Sequence, residues 1–294
     1  MHGRTITIAG LGLIGGSMAL ALRENGGAEV WGIDRDPAVL EAAAAQGAVA
    51  GTALPGSAEA AGRLAETDLL VLALAPGAAA DFLRQAREWL PPSALVTDVC
   101  GVKRAVVREC GLLCREKGLC FIGGHPMAGR EKGGFAHADP ALFAGASYIL
   151  TPEDSTPEAA LAVMREFAAA LGCARLTITT PEEHDRMIAF TSQLPHVLAG
   201  AYVKSPRCPG HGGFSAGSYR DVSRVATVDE NLWSELFLLN GDDLCGEIDT
   251  LIGHLQECRD AIASGDRDRL QAVLRAGREI KERDGLSHSP GGIL

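Results

Sequence analysis

Two groups of residues in this 294-residue chain have types and spacings that can do chemistry. The first is Gly10-Leu11-Gly12-Leu13-Ile14-Gly15, set between the apolar run Thr5–Ala9 and the helical stretch Met18–Arg23. In such a turn Gly10 allows the tight bend, Gly12 lets a pyrophosphate approach the backbone, and Gly15 lets helix pack on strand. Leu13 and Ile14 belong to the same cofactor-binding turn, and the N-terminus of the helix that follows faces the phosphates. A second apolar run, Val30–Ile33, ends on Asp34, at the distance expected of an acid that accepts from both ribose hydroxyls. Its charge repels a 2′-phosphate, so the expected cofactor is NAD rather than NADP. Asp34 has a second reading as a helix N-cap, which Asp36 fills better, and Arg35 pulls the selectivity the other way because it could stack on adenine or meet a 2′-phosphate.

The second group centres on Gly123-Gly124-His125-Pro126-Met127-Ala128-Gly129-Arg130-Glu131. A histidine closing a strand in an open α/β sheet stands where ligands bind, and it can exchange a proton with one. Alone it would read as a structural strand cap. Three more segments join it: Thr97-Asp98-Val99-Cys100-Gly101-Val102-Lys103; His184-Asp185 with Ser192-Gln193-Leu194-Pro195-His196; and Gly217-Ser218-Tyr219-Arg220-Asp221-Val222-Ser223-Arg224, with Trp233 further on.

These groups need elements to hold them. Up to about Thr179, short apolar strands alternate with helical stretches. The strands are Thr5–Ala9, Val30–Ile33, Leu69–Leu74, Leu95–Thr97, Phe121–Gly123, Tyr148–Leu150 and Leu176–Ile178, and Ala38–Gln46, Ala79–Trp89 and Pro157–Leu171 are among the helices. Continuous apolar strands between helices indicate a mostly parallel sheet covered on both faces. Beyond Thr179 the pattern is helical over Pro181–Lys204, Ser218–Val225, Asn231–Ser264 and Asp266–Glu282. The expected architecture is a Rossmann-like α/β domain over 1–178, an all-helical domain over 179–284 and a flexible tail over 285–294. Pro195, inside a helical stretch, frees the carbonyl of Thr191 and could kink His196 toward the cleft.

The motifs, in this order, resemble the prephenate/arogenate dehydrogenase family over residues 5 to about 260. That family carries Gly-x-Gly-Leu-x-Gly-Gly-Ser, Thr-Asp-x-x-Ser-x-Lys, Gly-His-Pro-x-x-Gly-x-Glu, His-Asp, Ser-His-Leu-Pro-His and Arg-Asp-x-x-Arg. The resemblance implies oxidative decarboxylation of prephenate with NAD in tyrosine synthesis, with arogenate as the alternative substrate. It implies that His125 takes the ring-hydroxyl proton as hydride leaves the same carbon, that Arg224 binds a substrate carboxylate, and that His196 helps hold the side chain. It also implies that Glu131, His184, Ser192 and Gly217 line the substrate pocket, and that Asp98 and Gly101 stand beside the cofactor. The chain departs from the family pattern at Gly101, where Ser is usual, and at Gln193, where His is usual. Other two-domain dehydrogenases lack Gly-His-Pro followed by Ser-x-Leu-Pro-His, and a non-catalytic NAD sensor would not need His125, His196 and Arg224 together.

The formal net charge of −10 disfavours a nucleic-acid or membrane partner, so a dianionic substrate needs a local cationic cluster, for which Arg224, Arg220, Arg130 and Lys132 are the candidates. The 8 cysteines form no Cys-x-x-Cys pair or zinc-like spacing, which suggests free thiols, a cytoplasmic protein and no metal. The N-terminus runs straight into a strand pattern, leaving no room for a signal peptide. The apolar stripe Leu244, Ile248, Leu251, Leu255, Cys258 and Ile262, with Leu270, Val273, Leu274 and Ile280 after it, suggests a homodimer built through the helical domain. No strand-rich segment follows the helices as a separate amino-acid sensor, so tyrosine, which keeps the substrate's side chain and para-oxygen, is expected to inhibit at the active site.

Overall fold

Eight strands, β1 (Thr5–Ala9), β2 (Glu29–Ile33), β3 (Gly51–Ala53), β4 (Leu69–Leu72), β5 (Leu95–Asp98), β6 (Cys120–Pro126), β7 (Ser147–Thr151) and β8 (Arg175–Ile178), form one sheet in the order β3-β2-β1-β4-β5-β6-β7-β8. The computed structural model describes residues 1–25, 27–130 and 132–287, the last three by backbone alone. All neighbouring strands run parallel except β6 and β7, which pair antiparallel with His125 opposite Ile149. The mostly parallel Rossmann-like sheet read from the apolar runs is therefore present. Strand β3 was not expected, because Gly-Thr-Ala carries no apolar run.

Helices α1 (Leu13–Asn25), α2 (Pro37–Ala45), α3 (Ala58–Leu64), α4 (Pro76–Ala86), α5 (Arg104–Arg115) and α6 (Glu158–Ala170) connect the strands and cover both faces. Side-chain alternation along β1 and β4 divides the core. Ile6, Ile8, Leu69 and Val71 pack with Met18 and Leu22 of α1 and Phe167 of α6. Ala9, Leu70 and Leu72 pack with Leu83 of α4 and Val106 of α5. The β1–α1 turn is set by Gly10, whose φ of 90° is in a region that side chains avoid.

The helical part contains α7 (Pro181–Ile188), α8 (Leu194–Tyr202), α9 (Gly217–Ser223), α10 (Glu230–Leu239), α11 (Gly241–Ala263) and α12 (Arg267–Ser287). Two expected helices are each divided. Pro181–Lys204 becomes α7, a π-helical turn over Ala189–Gln193, and α8. Asn231–Ser264 becomes α10 and α11, because Asn240 leaves helical geometry at φ −120°, ψ 27°. Its amide, wholly buried, donates to the carbonyl of Asp185 and to Gln193 Oε1, both at 2.8 Å, and accepts from Arg104 at 2.7 Å. Three hydrogen bonds outside the helix offset the turn lost at its end. The chain divides into two compact units, Met1–Gly241 and Asp242–Leu294, the second built from α11 and α12. Helix α12 extends to Ser287, past the expected start of the tail at Gly285, and the rest of that tail lies outside the described residues. No helix among the described residues is long and apolar enough to cross a membrane.

Removing the Asn240 amide strands two buried acceptors, the Asp185 carbonyl and Gln193 Oε1, each worth roughly 1–3 kcal/mol when left unsatisfied, while Arg104 is partly exposed and keeps Asp185. Asn240→Ala is therefore expected to lower unfolding free energy by about 2–3 kcal/mol in urea denaturation; a change within error would show that the amide is dispensable.

Candidate functional site

Within Met1–Gly241, a cleft of about 640 Å³ opens at the carboxyl ends of the parallel strands. Gly12, Leu13 and Ile14 form one part of its wall, Cys100 and Gly101 after β5 another, and His125 to Arg130 a third. Ser192, Gln193 and His196 from the π-turn and α8, then Arg224, Trp233 and Leu236, complete it. The turn over Ala189–Gln193 follows from Pro195, which has no N–H to give the Thr191 carbonyl. The backbone there widens to π geometry, and Ser192, Gln193 and His196 all reach the cleft.

His125 sits on β6 because Gly124 lets that strand press against β5 and β7. A Cβ on Gly124 would stand 2.6 Å from the Asp98 carbonyl and 2.9 Å from the Tyr148 hydroxyl. His125 Nδ1 lies 2.9 Å from His184 Nε2, and His184 Nδ1 lies 2.7 Å from Asp185 Oδ1. This chain fixes both tautomers. A carboxylate can only accept, so His184 donates from Nδ1 and keeps a bare Nε2, which accepts from His125 Nδ1–H. His125 is then left with an unprotonated Nε2 as the nitrogen available to a bound molecule. Burial, with His184 and Lys103 nearby, holds the His125 imidazole well below the usual histidine range, so it stays neutral. His184 is also lowered, by burial first, with its bond to Asp185 acting in the opposite sense. Burial alone would raise the Asp185 carboxyl, but hydrogen bonds from His184 and from the N–H groups of Arg104 and Lys103 outweigh it and leave it below its ordinary value.

Across α8 and α10, the His196 ring stacks on Trp233 with centroids 3.8 Å apart, and its Nδ1–H donates to the Ser192 carbonyl at 2.7 Å. Burial lowers its pKa, and the cationic Arg224 adds to that. Arg224 lies in the 3₁₀ turn Arg224–Ala226 that ends α9. Of the four expected cationic residues, Arg224 and Arg130 line the cleft, and Arg130 also pairs with Asp139. Arg220, at 80 % side-chain exposure, and the exposed Lys132 do not.

Other expected residues divide in the same way. Gly12, Leu13, Ile14, Gly101, Ser192, His196 and Arg224 line the cleft with His125. Gly10 and Gly15 lie behind the turn, where a Cβ on Gly15 would strike the Gly10 carbonyl. His184 is 2 % exposed and stands behind His125 instead of on the wall. Asp98 is wholly buried and off the wall, with its oxygens committed to Lys103 and to the N–H groups of Cys100 and Gly124. Gly217 begins α9 away from the cleft, and Glu131 lies outside the described residues. A serine Cβ at Gly101 would meet only Leu236 at 3.5 and 3.6 Å, an ordinary contact, so the glycine is not required by space. Sequence reading assigned no part to Asp185, Asn240 or Lys103. Asp185 had a local signal in its position beside His184, and Lys103 in closing the Thr97–Lys103 motif; Asn240 had none.

The turn fits a dinucleotide. A Cβ on Gly12 would meet nothing within 4 Å, so the backbone there is open to a phosphate at the N-terminus of α1. Asp34 accepts from the N–H groups of Leu11 at 2.7 Å and Asp36 at 3.0 Å, which shapes the turn while leaving each oxygen a lone pair for a hydroxyl.

A family model described as the prephenate dehydrogenase nucleotide-binding domain matches residues 18–177, and one described as the prephenate dehydrogenase dimerization domain matches 180–276. A prephenate dehydrogenase of Bacillus subtilis is 31% identical over 292 residues, covering 96% of this chain and 76% of the relative. The crystal structure of an A. aeolicus prephenate dehydrogenase in complex with hydroxyphenyl propionate and NAD+ is 25% identical with a TM-score of 0.85, covering 96% of this chain and 99% of that one. That of a Synechocystis arogenate dehydrogenase is 26% identical with a TM-score of 0.78, covering 95% and 99%.

Three histidines whose folded forms resist protonation make stability depend on pH. His125, His184 and His196 all have folded values below the unfolded one. As pH falls through the unfolded range near 6.5, the unfolded chain binds protons that the native one does not, so stability is lost. Unfolding free energy is expected to be flat in these groups above pH 7 and to fall between about pH 6.5 and 5. Rising stability over that interval would contradict the assignment.

Proposed function

The chain belongs to the prephenate dehydrogenase family, and we propose that it oxidatively decarboxylates prephenate to 4-hydroxyphenylpyruvate with NAD, the dehydrogenase step of tyrosine synthesis. One observation carries the reading: His125, with Nδ1 committed to His184 and Nε2 bare, lines the same cleft as the open backbone of Gly12. We read 1–178 as the nucleotide-binding part and 179–284 as the substrate and dimerisation part.

Gly12, Leu13 and Ile14 would hold the pyrophosphate and Asp34 the ribose. NAD, when bound, would supply the hydride acceptor. His125 Nε2 removes the ring-hydroxyl proton as hydride leaves the same carbon and a carbonyl forms there. The ring C–CO2 bond then breaks, its electron pair passes through the ring to that oxygen, and the phenolate takes the proton back to give the phenol. Aromatisation drives the reaction, so the protein's task is alignment and removal of one proton. Arg224 offers a planar fork to a substrate carboxylate, and His196, held flat by Trp233 and Ser192, borders the side chain. His184 and Asp185 act behind His125.

We read the protein as a cytoplasmic homodimer. Its eight cysteines are free thiols, and Leu255, Ile262, Leu274 and Ile280 are each more than half exposed in the single chain, as a face awaiting a mate would be. Tyrosine keeps the para-oxygen and side-chain carboxylate, so it fits the same cleft as a competitive inhibitor.

With prephenate and NAD, absorbance at 340 nm is expected to rise, and a parallel assay with L-arogenate ranks the two substrates. No reduction with either sinks the reading. His125→Ala should lower kcat by about 10²–10⁴, with an acid limb in the parent enzyme below the usual histidine value. Arg224→Ala should raise KM for substrate and weaken tyrosine inhibition while leaving NAD affinity alone; noncompetitive inhibition that survives the change would point to a second site. NADP should give a lower kcat/KM than NAD because of Asp34, and equal values would remove that role.

A further inference from the structure

Lys103 and Asp98 form an ion pair with both side chains wholly buried. Replacing such a pair by packed apolar side chains is often neutral or stabilising, so stability alone does not account for it. Its neighbours do. Besides Lys103, the Asp98 carboxylate accepts from Cys100 N–H at 2.8 Å and from Gly124 N–H at 3.1 Å, one residue before His125. The Lys103 side chain runs under the same strand, its Cδ 3.3 Å from where a Cβ on Gly123 would stand. The backbone N–H of Lys103 donates to Asp185 Oδ1 at 2.6 Å, the oxygen that also takes His184. One residue therefore touches, through Asp98, the strand that carries His125 and, directly, the carboxylate that orients His184. Neither Lys103 nor Asp98 lines the cleft.

We propose that Lys103 is a positioning residue for His125, acting from behind the cleft: its side chain and Asp98 fix β6, its backbone fixes the His184–Asp185 pair, and its ammonium places a fixed positive charge near the proton acceptor. The proposal rests on the reading of His125 as that acceptor. The charge acts in the same sense as burial and His184, toward a neutral His125. The groups packed around His125 are His184 and Asp185 from α7, Asp98 and Lys103 from β5 and the start of α5, and the Tyr148 phenol from β7. Arg130, His196 and Arg224 share its cleft.

The test compares wild type, Lys103→Met and Lys103→Gln by kcat and KM against pH, and by NMR titration of the His125 imidazole, assigned with His125→Gln. Gln keeps a neutral donor for Asp98, so that variant carries the test if the Met variant does not fold. In the folded variants kcat at neutral pH should fall about tenfold or more while substrate KM stays within about threefold. The His125 titration midpoint and the acid limb of kcat should both rise by about one pH unit. An unmoved midpoint in the folded variants overturns the proposal whatever happens to Tm, and so does a change confined to KM. The titration needs no substrate, so it judges Lys103 even if the wild-type enzyme reduces no NAD with either cyclohexadienol, a result that would count against the functional reading instead.

Discussion

The carboxylate of Asp185 is the contact on which the rest of the site depends. Helix α5 begins at Lys103 and Arg104 without a side-chain cap of its own. Asp185, 82 residues further along the chain, supplies that cap by accepting from the backbone N–H groups of both residues at 2.6 and 2.9 Å. An anion at a helix N-terminus is favourable through the unsatisfied N–H groups and the helix dipole. The same two oxygens take His184 Nδ1–H and Arg104 Nε–H, so the bond that docks α7 on the sheet also sets the tautomer of His125, the proposed proton acceptor. Fold and chemistry share one group here, and the buried Asn240 amide reinforces it by holding both the Asp185 backbone carbonyl and the Arg104 guanidinium.

The electrostatic design follows from the ligand's charge. A chain with formal charge −10 that receives a dianion cannot rely on its overall field, and among the described residues the Arg and Lys side chains that line the cleft are Arg224 and Arg130. The histidines contribute no charge. Burial keeps His125, His184 and His196 neutral, which leaves His125 able to accept a proton and gives His196 a flat, uncharged face against Trp233. Lys103, the cation that bears on His125 from behind the cleft, is sealed from solvent with its own counter-ion, Asp98.

Gly101 and Gln193 show how the chain accommodates its departures from the family pattern. With no hydroxyl at Gly101, the His125 ring is oriented by His184 alone among the side-chain hydrogen bonds described. Gln193, 1 % exposed, places an amide where the family often has an imidazole. It donates to the Leu236 carbonyl and accepts from Asn240, so the joint between α8 and α10 is closed by neutral groups that do not titrate near neutral pH.

By itself the sequence determined the architecture and the chemistry. Seven of the eight strands were legible because each carries an apolar run, buried through the centre of the sheet and exposed at the edge strand β8. The nucleotide turn was legible because it depends on backbone freedom at fixed spacings, and His125, His196 and Arg224 because they lie in dense local motifs. Local pattern could not find β3, which has only three residues and no apolar run, or the breaks at the π-turn and at Asn240. The break at Asn240 arises from hydrogen bonds to residues tens of positions away, and Pro195 signals a disturbed helix without saying that it takes π geometry. Only the tertiary structure moved His184 and Asp98 from the cleft wall to supporting positions behind it, took Gly217 and Arg220 away from the cleft, and joined Asp98, Lys103, Asp185 and Asn240 into one buried network. The physical reason is the same in each case: a motif records which side chains are present, but which nitrogen faces a ligand depends on partners that only folding brings within 3 Å, as it does for His125 and His184 at 2.9 Å.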